Sequence, residues 1–135
     1  MKSSTFLFVY GTLKRGFNNQ VAEHLHRTQT FVGEGSFPGK LFKISFYPGA
    51  VYQPKASTKV YGDLFQITEH ADSLFSLLDD YEGIHPNEPE TAEFKREIIP
   101  IHCKQELIFA HCYVYKGDYS ELSIIKSGVF TAENS

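Results

Sequence analysis

The sequence predicts an α+β domain whose mostly antiparallel sheet curls toward a barrel. Element order is the first reason. Hydrophobic spacing reads as strand, loop, helix, several strands, one strong helix and two more strands, without the strict strand–helix alternation of a doubly wound sheet. Content is the second. A chain of 135 residues fits one domain, and 41% apolar residues, with 12 Phe and 8 Tyr, are enough to bury a core rather than leave the chain disordered.

The elements follow in order. Phe6-Leu7-Phe8-Val9-Tyr10 is an apolar run cut off at Gly11, which reads as a strand buried on both faces. Gly11 to Gly16 is a glycine-bracketed loop. Asn18 or Asn19 then suits the N-cap of a helix in which Val21, Ala22 and Leu25 share one face. Strand patterns follow at Thr30–Val32, Lys40–Phe46 and Val60–Ile67. Glycines and prolines predict turns or loops over Gly33–Gly39 and Tyr47–Lys59. The strong helix is expected to begin near Thr68 or Glu69, with Ala71, Leu74, Phe75, Leu78 and Tyr81 on its buried stripe. Gly83 should stop it, with Pro86 and Pro89 beyond. Ile84–Thr91 reads as a loop. Glu93–Cys103 and Leu107–Lys116 read as an antiparallel hairpin in which Pro100 marks an edge or bulge. The tail carries Ile124-Ile125-Lys126-Ser127-Gly128 and ends in polar residues expected to fray.

Composition excludes several classes of function. The formal net charge is −3, unlike the basic face of a nucleic-acid binder. No apolar run approaches the roughly 20 residues that span a bilayer. The five apolar residues that follow Met1-Lys2-Ser3-Ser4-Thr5 do not make a secretory signal, so the expectation is a cytoplasmic protein without membrane or nucleic-acid partners. Cys103 and Cys112 each follow a histidine, which hints at a metal. Neighbouring side chains on a strand point to opposite faces, however, so each pair offers one ligand to a face, short of the four of a structural zinc site. The thiols read as small buried hydrophobes.

Two segments are candidates for chemistry. In Val9-Tyr10-Gly11-Thr12-Leu13 a buried strand runs into a glycine-containing loop ahead of a helix, where successive main-chain N–H groups can converge on an anion. The same pattern also makes a plain tight turn, and it lacks the companions of a nucleotide-binding loop. Leu78-Asp79-Asp80-Tyr81-Glu82-Gly83 puts three carboxylates at a helix C-terminus, against the macrodipole. Such disagreement either marks a solvated acidic end or a functional one. Glu82 falls at the border of the buried stripe, where desolvation would raise its pKa into a range useful for proton transfer. No nucleophile elbow is present, and His24 and His26 diverge on their helix. His70 and His85 flank the strong helix. Lys14, Arg15, Lys95 and Arg96 either neutralise an anionic substrate or face solvent.

These segments, taken with Tyr47-Pro48-Gly49-Ala50, Val60-Tyr61-Gly62-Asp63-Leu64-Phe65, Cys112-Tyr113-Val114-Tyr115 and Ile125-Lys126-Ser127-Gly128, resemble the gamma-glutamylcyclotransferase-like family in order and spacing. The resemblance implies a small mixed, mostly antiparallel β-barrel with flanking helices, in one domain over residues 1–135. It further implies an enzyme that cyclises the gamma-glutamyl group of a small gamma-glutamyl amine or amino acid to 5-oxoproline, releasing the amine, with no metal and no cofactor. By the same resemblance Glu82 is the general base and acid, and Tyr10, Gly11, Thr12 and Leu13 bind the glutamyl part, with Tyr115 an aromatic near the pocket. Phe94-Lys95-Arg96 departs from the Tyr-x-Arg common in relatives, which removes a hydroxyl and bears on substrate identity. The competing reading is a non-catalytic module that keeps the pocket for another small anion or a protein. A metal-dependent hydrolase is the third.

Overall fold

The computed structural model describes residues 4–84 and 92–131. Its elements are β1 (Thr5–Val9), α1 (Gln20–Thr28), β2 (Thr30–Lys43), β3 (Pro48–Tyr52), β4 (Lys59–Ile67), α2 (Ala71–Tyr81), β5 (Phe94–Cys103), β6 (Glu106–Tyr115) and β7 (Ser123–Ile124). Five strands close a barrel in the order β2-β4-β1-β6-β5, and β5 returns to β2 where Ser36 faces His102. β1 and β6 run parallel, and the other pairings among the described residues are antiparallel. This is the mixed, mostly antiparallel barrel with flanking helices that the sequence analysis expects.

The period of two along β1 explains the layers. Phe8 and Tyr10 point into the barrel, where they meet Phe37, Leu64, Ile101, Val114 and Phe130. Leu7 and Val9 point outward and are covered by Ala22 and Leu25 of α1 and by Leu74, Phe75 and Leu78 of α2. Both faces of β1 are therefore buried, which is why the run reads as uninterrupted hydrophobicity. Cys103 and Cys112 are free thiols within the barrel interior, packed as small apolar groups.

Three expectations are corrected. Gly33–Gly39 is not a turn but the middle of β2, a continuous strand with one irregularity between Phe31 and Gly33. Its glycines serve close packing: a Cβ on Gly35 would lie 2.9 Å from the His102 carbonyl oxygen, and β5 could not approach to close the barrel. Residues 48–52 of the expected Tyr47–Lys59 loop form β3 against the far end of β2, with Pro48 at the first position, where an edge strand tolerates the missing N–H. α2 begins at Ala71 rather than near Thr68 or Glu69, because the buried Gln29 side chain takes those two amides. Its Oε1 accepts from Thr68 N at 2.8 Å and Glu69 N at 3.2 Å.

The hairpin is in register as expected, and Pro100 pairs opposite Phe109 on a strand that β2 touches at a single residue pair. Beyond Ile84, the loop expected over Ile84–Thr91 lies outside the described residues, with His85, Pro86 and Pro89, as do the polar residues after Thr131.

Candidate active site

The loop after β1 is held from behind by its carbonyls. The Gly11 carbonyl accepts from Lys14 N at 3.1 Å, and the Lys14 carbonyl accepts from Phe17 N at 3.3 Å. Asn19 Nδ2 donates to the Thr12 carbonyl at 2.9 Å, while Asn19 Oδ1 caps α1 by accepting from Ala22 N at 2.8 Å. His26 Nε2 lies 2.7 Å from the Leu13 carbonyl, which can only accept, so this nitrogen carries the proton. Farther along, Arg15 N donates to the buried Asp63 carboxylate at 2.8 Å. The Gly11, Thr12 and Leu13 amides, by contrast, donate to no turn or side-chain acceptor among the described residues.

Glu82 is placed by the end of α2. Leu74, Phe75 and Leu78 anchor the helix on the outer face of the barrel. Glu82 is the C-cap residue; Gly83 follows at φ +78°, a conformation that suits glycine. Gly83 N donates to the Asp80 carbonyl at 3.0 Å and Ile84 N to the Asp79 carbonyl at 2.8 Å, the paired bonds of a Schellman cap. The geometry leaves the Glu82 side chain at the helix end with no cation in the last turn. Burial first, and then the Asp79 carboxylate, push its pKa up from 4.5 to about 7.

One cavity of about 320 Å³ brings the two together. Tyr10, Gly11, Thr12 and Leu13 line one side, and Tyr81, Glu82 and Gly83 another. The Thr12 and Tyr81 hydroxyls join these walls across 2.8 Å. The hydroxyl of Tyr10 is engaged in the core, donating to the Tyr113 carbonyl at 2.5 Å and accepting from Ala50 N at 3.1 Å. A Cβ on Gly11 would meet the Pro48 ring at 3.0 Å, so that glycine lets the loop and β3 close the cavity together.

Sequence reasoning missed part of this lining. Tyr47, Glu93, Phe94 and Tyr113 all border the cavity, and Tyr47 donates to Glu93 Oε1 at 2.5 Å. Burial and that carboxylate raise the Tyr47 pKa to about 12. The Tyr47-Pro48 pair was visible as a motif, and the missed strand β3 hid its role. Tyr115 is not among the lining residues. Its ring packs edge-on against Phe94 with centroids 5.7 Å apart, behind the wall that Phe94 forms. None of the four basic candidates lines the cavity either. Arg15 pairs with Asp63, Lys95 with Glu97 and Arg96 with Asp79, while Lys14 and Arg15 border a second depression.

A sequence profile described as "Gamma-glutamyl cyclotransferase, AIG2-like" matches residues 7–132. The chain belongs to this family. The match takes in both walls of the cavity, from β1 to beyond β7. A curated relative from Mus musculus, "Gamma-glutamylaminecyclotransferase", is 34% identical over 82 residues, covering 56% of this chain and 53% of that protein. The chain thus spans about half the length of the curated relatives it matches. Among solved structures, an "aig2-like protein" from Mus musculus superposes with a TM-score of 0.68 at 22% identity, over 93% of this chain and 88% of that one. The solution structure of the protein ytfP from Escherichia coli gives 0.64 at 25% identity, over 93% and 95%. The barrel with its helices is a shared family fold.

Proposed function

We propose that this family member is a cyclotransferase that converts the gamma-glutamyl group of a small gamma-glutamyl amine or amino acid to 5-oxoproline and releases the amine. One observation carries the reading. Gly11–Leu13, whose amides donate to no turn or side-chain acceptor among the described residues, and Glu82 line the same cavity, of a size that suits a small ligand.

The chemistry follows from those groups. The α-amine of the substrate attacks its own γ-carbonyl carbon, so a C–N bond forms within the five-membered ring and the amide C–N bond breaks. Holding both ends of one flexible molecule in the folded geometry supplies much of the rate, since the attack is then intramolecular. The main-chain amides of Gly11, Thr12 and Leu13, with Tyr10 shaping the wall, hold the substrate carboxylate or the oxyanion that develops. Glu82 removes one proton from the ammonium before attack and gives it to the departing nitrogen; the second proton, shed by the ring nitrogen as it becomes the lactam N–H, ends on the released amine as its ammonium. A carboxyl with a pKa of about 7 is suited to both roles near neutrality. Atoms and charge balance within substrate and enzyme, so the reading needs neither metal nor cofactor.

Two buried free thiols favour a reducing compartment such as the cytoplasm. No helix among the described residues is long and apolar enough to cross a membrane. The test is release of 5-oxoproline from a panel of gamma-glutamyl-ε-lysine, gamma-glutamyl amino acids and glutathione. Release from a member of the panel supports the enzyme; binding without release from any of them would favour the non-catalytic module.

A further inference from the structure

Three residues before Glu82, Asp79 belongs to a hydrogen-bonded unit that the reaction as described leaves unused. Tyr113, on β6, borders the cavity, and its hydroxyl donates to Asp79 Oδ1 at 2.6 Å. The same oxygen accepts from Arg96 Nη1 of β5 at 3.1 Å. The Arg96 guanidinium lies over the Phe75 ring of α2, 4.5 Å from its centroid, so Arg96 grips the helix at two points one turn apart. On its other side, Tyr113 accepts through its carbonyl from the Tyr10 hydroxyl, which itself accepts from Ala50 N. A continuous chain of bonds therefore runs from the strand end that begins the amide cradle, through Tyr113, to the residue three positions before Glu82.

We propose that Asp79, gripped by Tyr113 and Arg96, is a positioning residue for Glu82: it fixes the last turn of α2 relative to the cradle and sets the electrostatic field at the base. The inference rests on the cyclotransferase reading for its catalytic meaning. Its geometry explains an oddity of the sequence. A carboxylate in the last turn of a helix opposes the macrodipole, and Asp79 is tolerated there because a phenol and a guanidinium from two strands hydrogen-bond it.

Other groups bear on Glu82 from each packed element. Tyr10 follows β1, Tyr47 precedes β3, Tyr81 belongs to α2 and Cys112 to β6, and burial raises the pKa of each, so all four are neutral near pH 7. Asp80 neighbours Glu82 on α2, and Glu93 shares the cavity and holds Tyr47. Asp79 is the carboxylate whose charge raises the affinity of Glu82 for its proton.

The experiment follows the Glu82 carboxyl carbon by NMR through a pH titration, with Glu82→Gln assigning the resonance, and measures kcat and KM alongside. Asp79→Asn keeps the shape and the acceptor oxygen but removes the charge. The Glu82 midpoint should fall by roughly half a pH unit or more. Tyr113→Phe removes the donor and keeps the charge, so kcat should drop severalfold with no fall in the midpoint. An Asp79→Asn protein that folds and titrates with the unchanged midpoint overturns the proposal. If that variant does not fold, Tyr113→Phe decides, and an unaltered kcat overturns it. Should the unsubstituted protein release no 5-oxoproline, the cyclotransferase reading fails, while the titration still decides whether Asp79 acts on Glu82.

Discussion

The Thr12 and Tyr81 hydroxyl oxygens lie 2.8 Å apart, so the loop after β1 is hydrogen-bonded to the residue that immediately precedes Glu82. Two segments far apart in sequence thus share a contact in the wall of the cavity they line. Either hydroxyl can donate. In both cases the bond adds a direct tie between cradle and helix end to the one that runs through Tyr113 and Asp79.

Tyr81→Phe removes that tie and keeps the ring. Tyr81 is 38% exposed, and a net hydrogen bond contributes about 1 kcal/mol, so stability should change by no more than that. Turnover should fall severalfold, because the near-attack geometry loosens. Denaturant unfolding and initial rates on the same samples check both halves.

Asn19 separates capping from loop anchoring. Its Oδ1 caps α1, and its Nδ2 holds the Thr12 carbonyl. Asn19→Ala loses both and should cost about 1–2 kcal/mol. Asn19→Ser keeps a cap and loses the anchor, so it should cost no more than that one hydrogen bond, about 1 kcal/mol, while kcat/KM falls as far as in Asn19→Ala. Activity that tracked stability across the two variants would contradict a separate anchoring role.

How Glu82 affects folding depends on pH with a definite sign. Its carboxyl binds a proton more tightly folded, at about 7, than at the ordinary 4.5. Between those values the folded state holds more protons, so this group's contribution to stability declines as pH rises and its full cost is present above 7. Glu82→Gln should therefore be more stable than the unsubstituted protein at pH 8, by roughly 1–3 kcal/mol, and nearly equal to it at pH 4. Chemical denaturation at the two pH values measures the difference. A gain of equal size at both would mean that packing, not charge, is relieved.

Much of this was legible in the chain. β1 could be read because both its faces are buried, and α1 because Asn19 stands before an apolar stripe. Glu82 stood out because three acids at a helix end offend the macrodipole. β3 and the middle of β2 were not legible, since Pro48, Gly35 and Gly39 signal turns locally. In the barrel they allow backbones to approach: a Cβ on Gly39 would nearly touch the Val51 carbonyl. The start of α2 was misread because Gln29, some 40 positions away, claims the amides of Thr68 and Glu69, a tertiary contact with no local signal. Tyr115 and Tyr113 share strand parity, so spacing alone could not tell which of them reaches the cavity.

The most direct measurement is the rate of 5-oxoproline release from the best substrate of the gamma-glutamyl panel, with the unsubstituted protein and Glu82→Gln compared at pH 7.5. Turnover of the variant should be lower by roughly 10²-fold or more, with its fold intact by circular dichroism. Equal turnover by a folded Glu82→Gln protein would contradict Glu82 as the base.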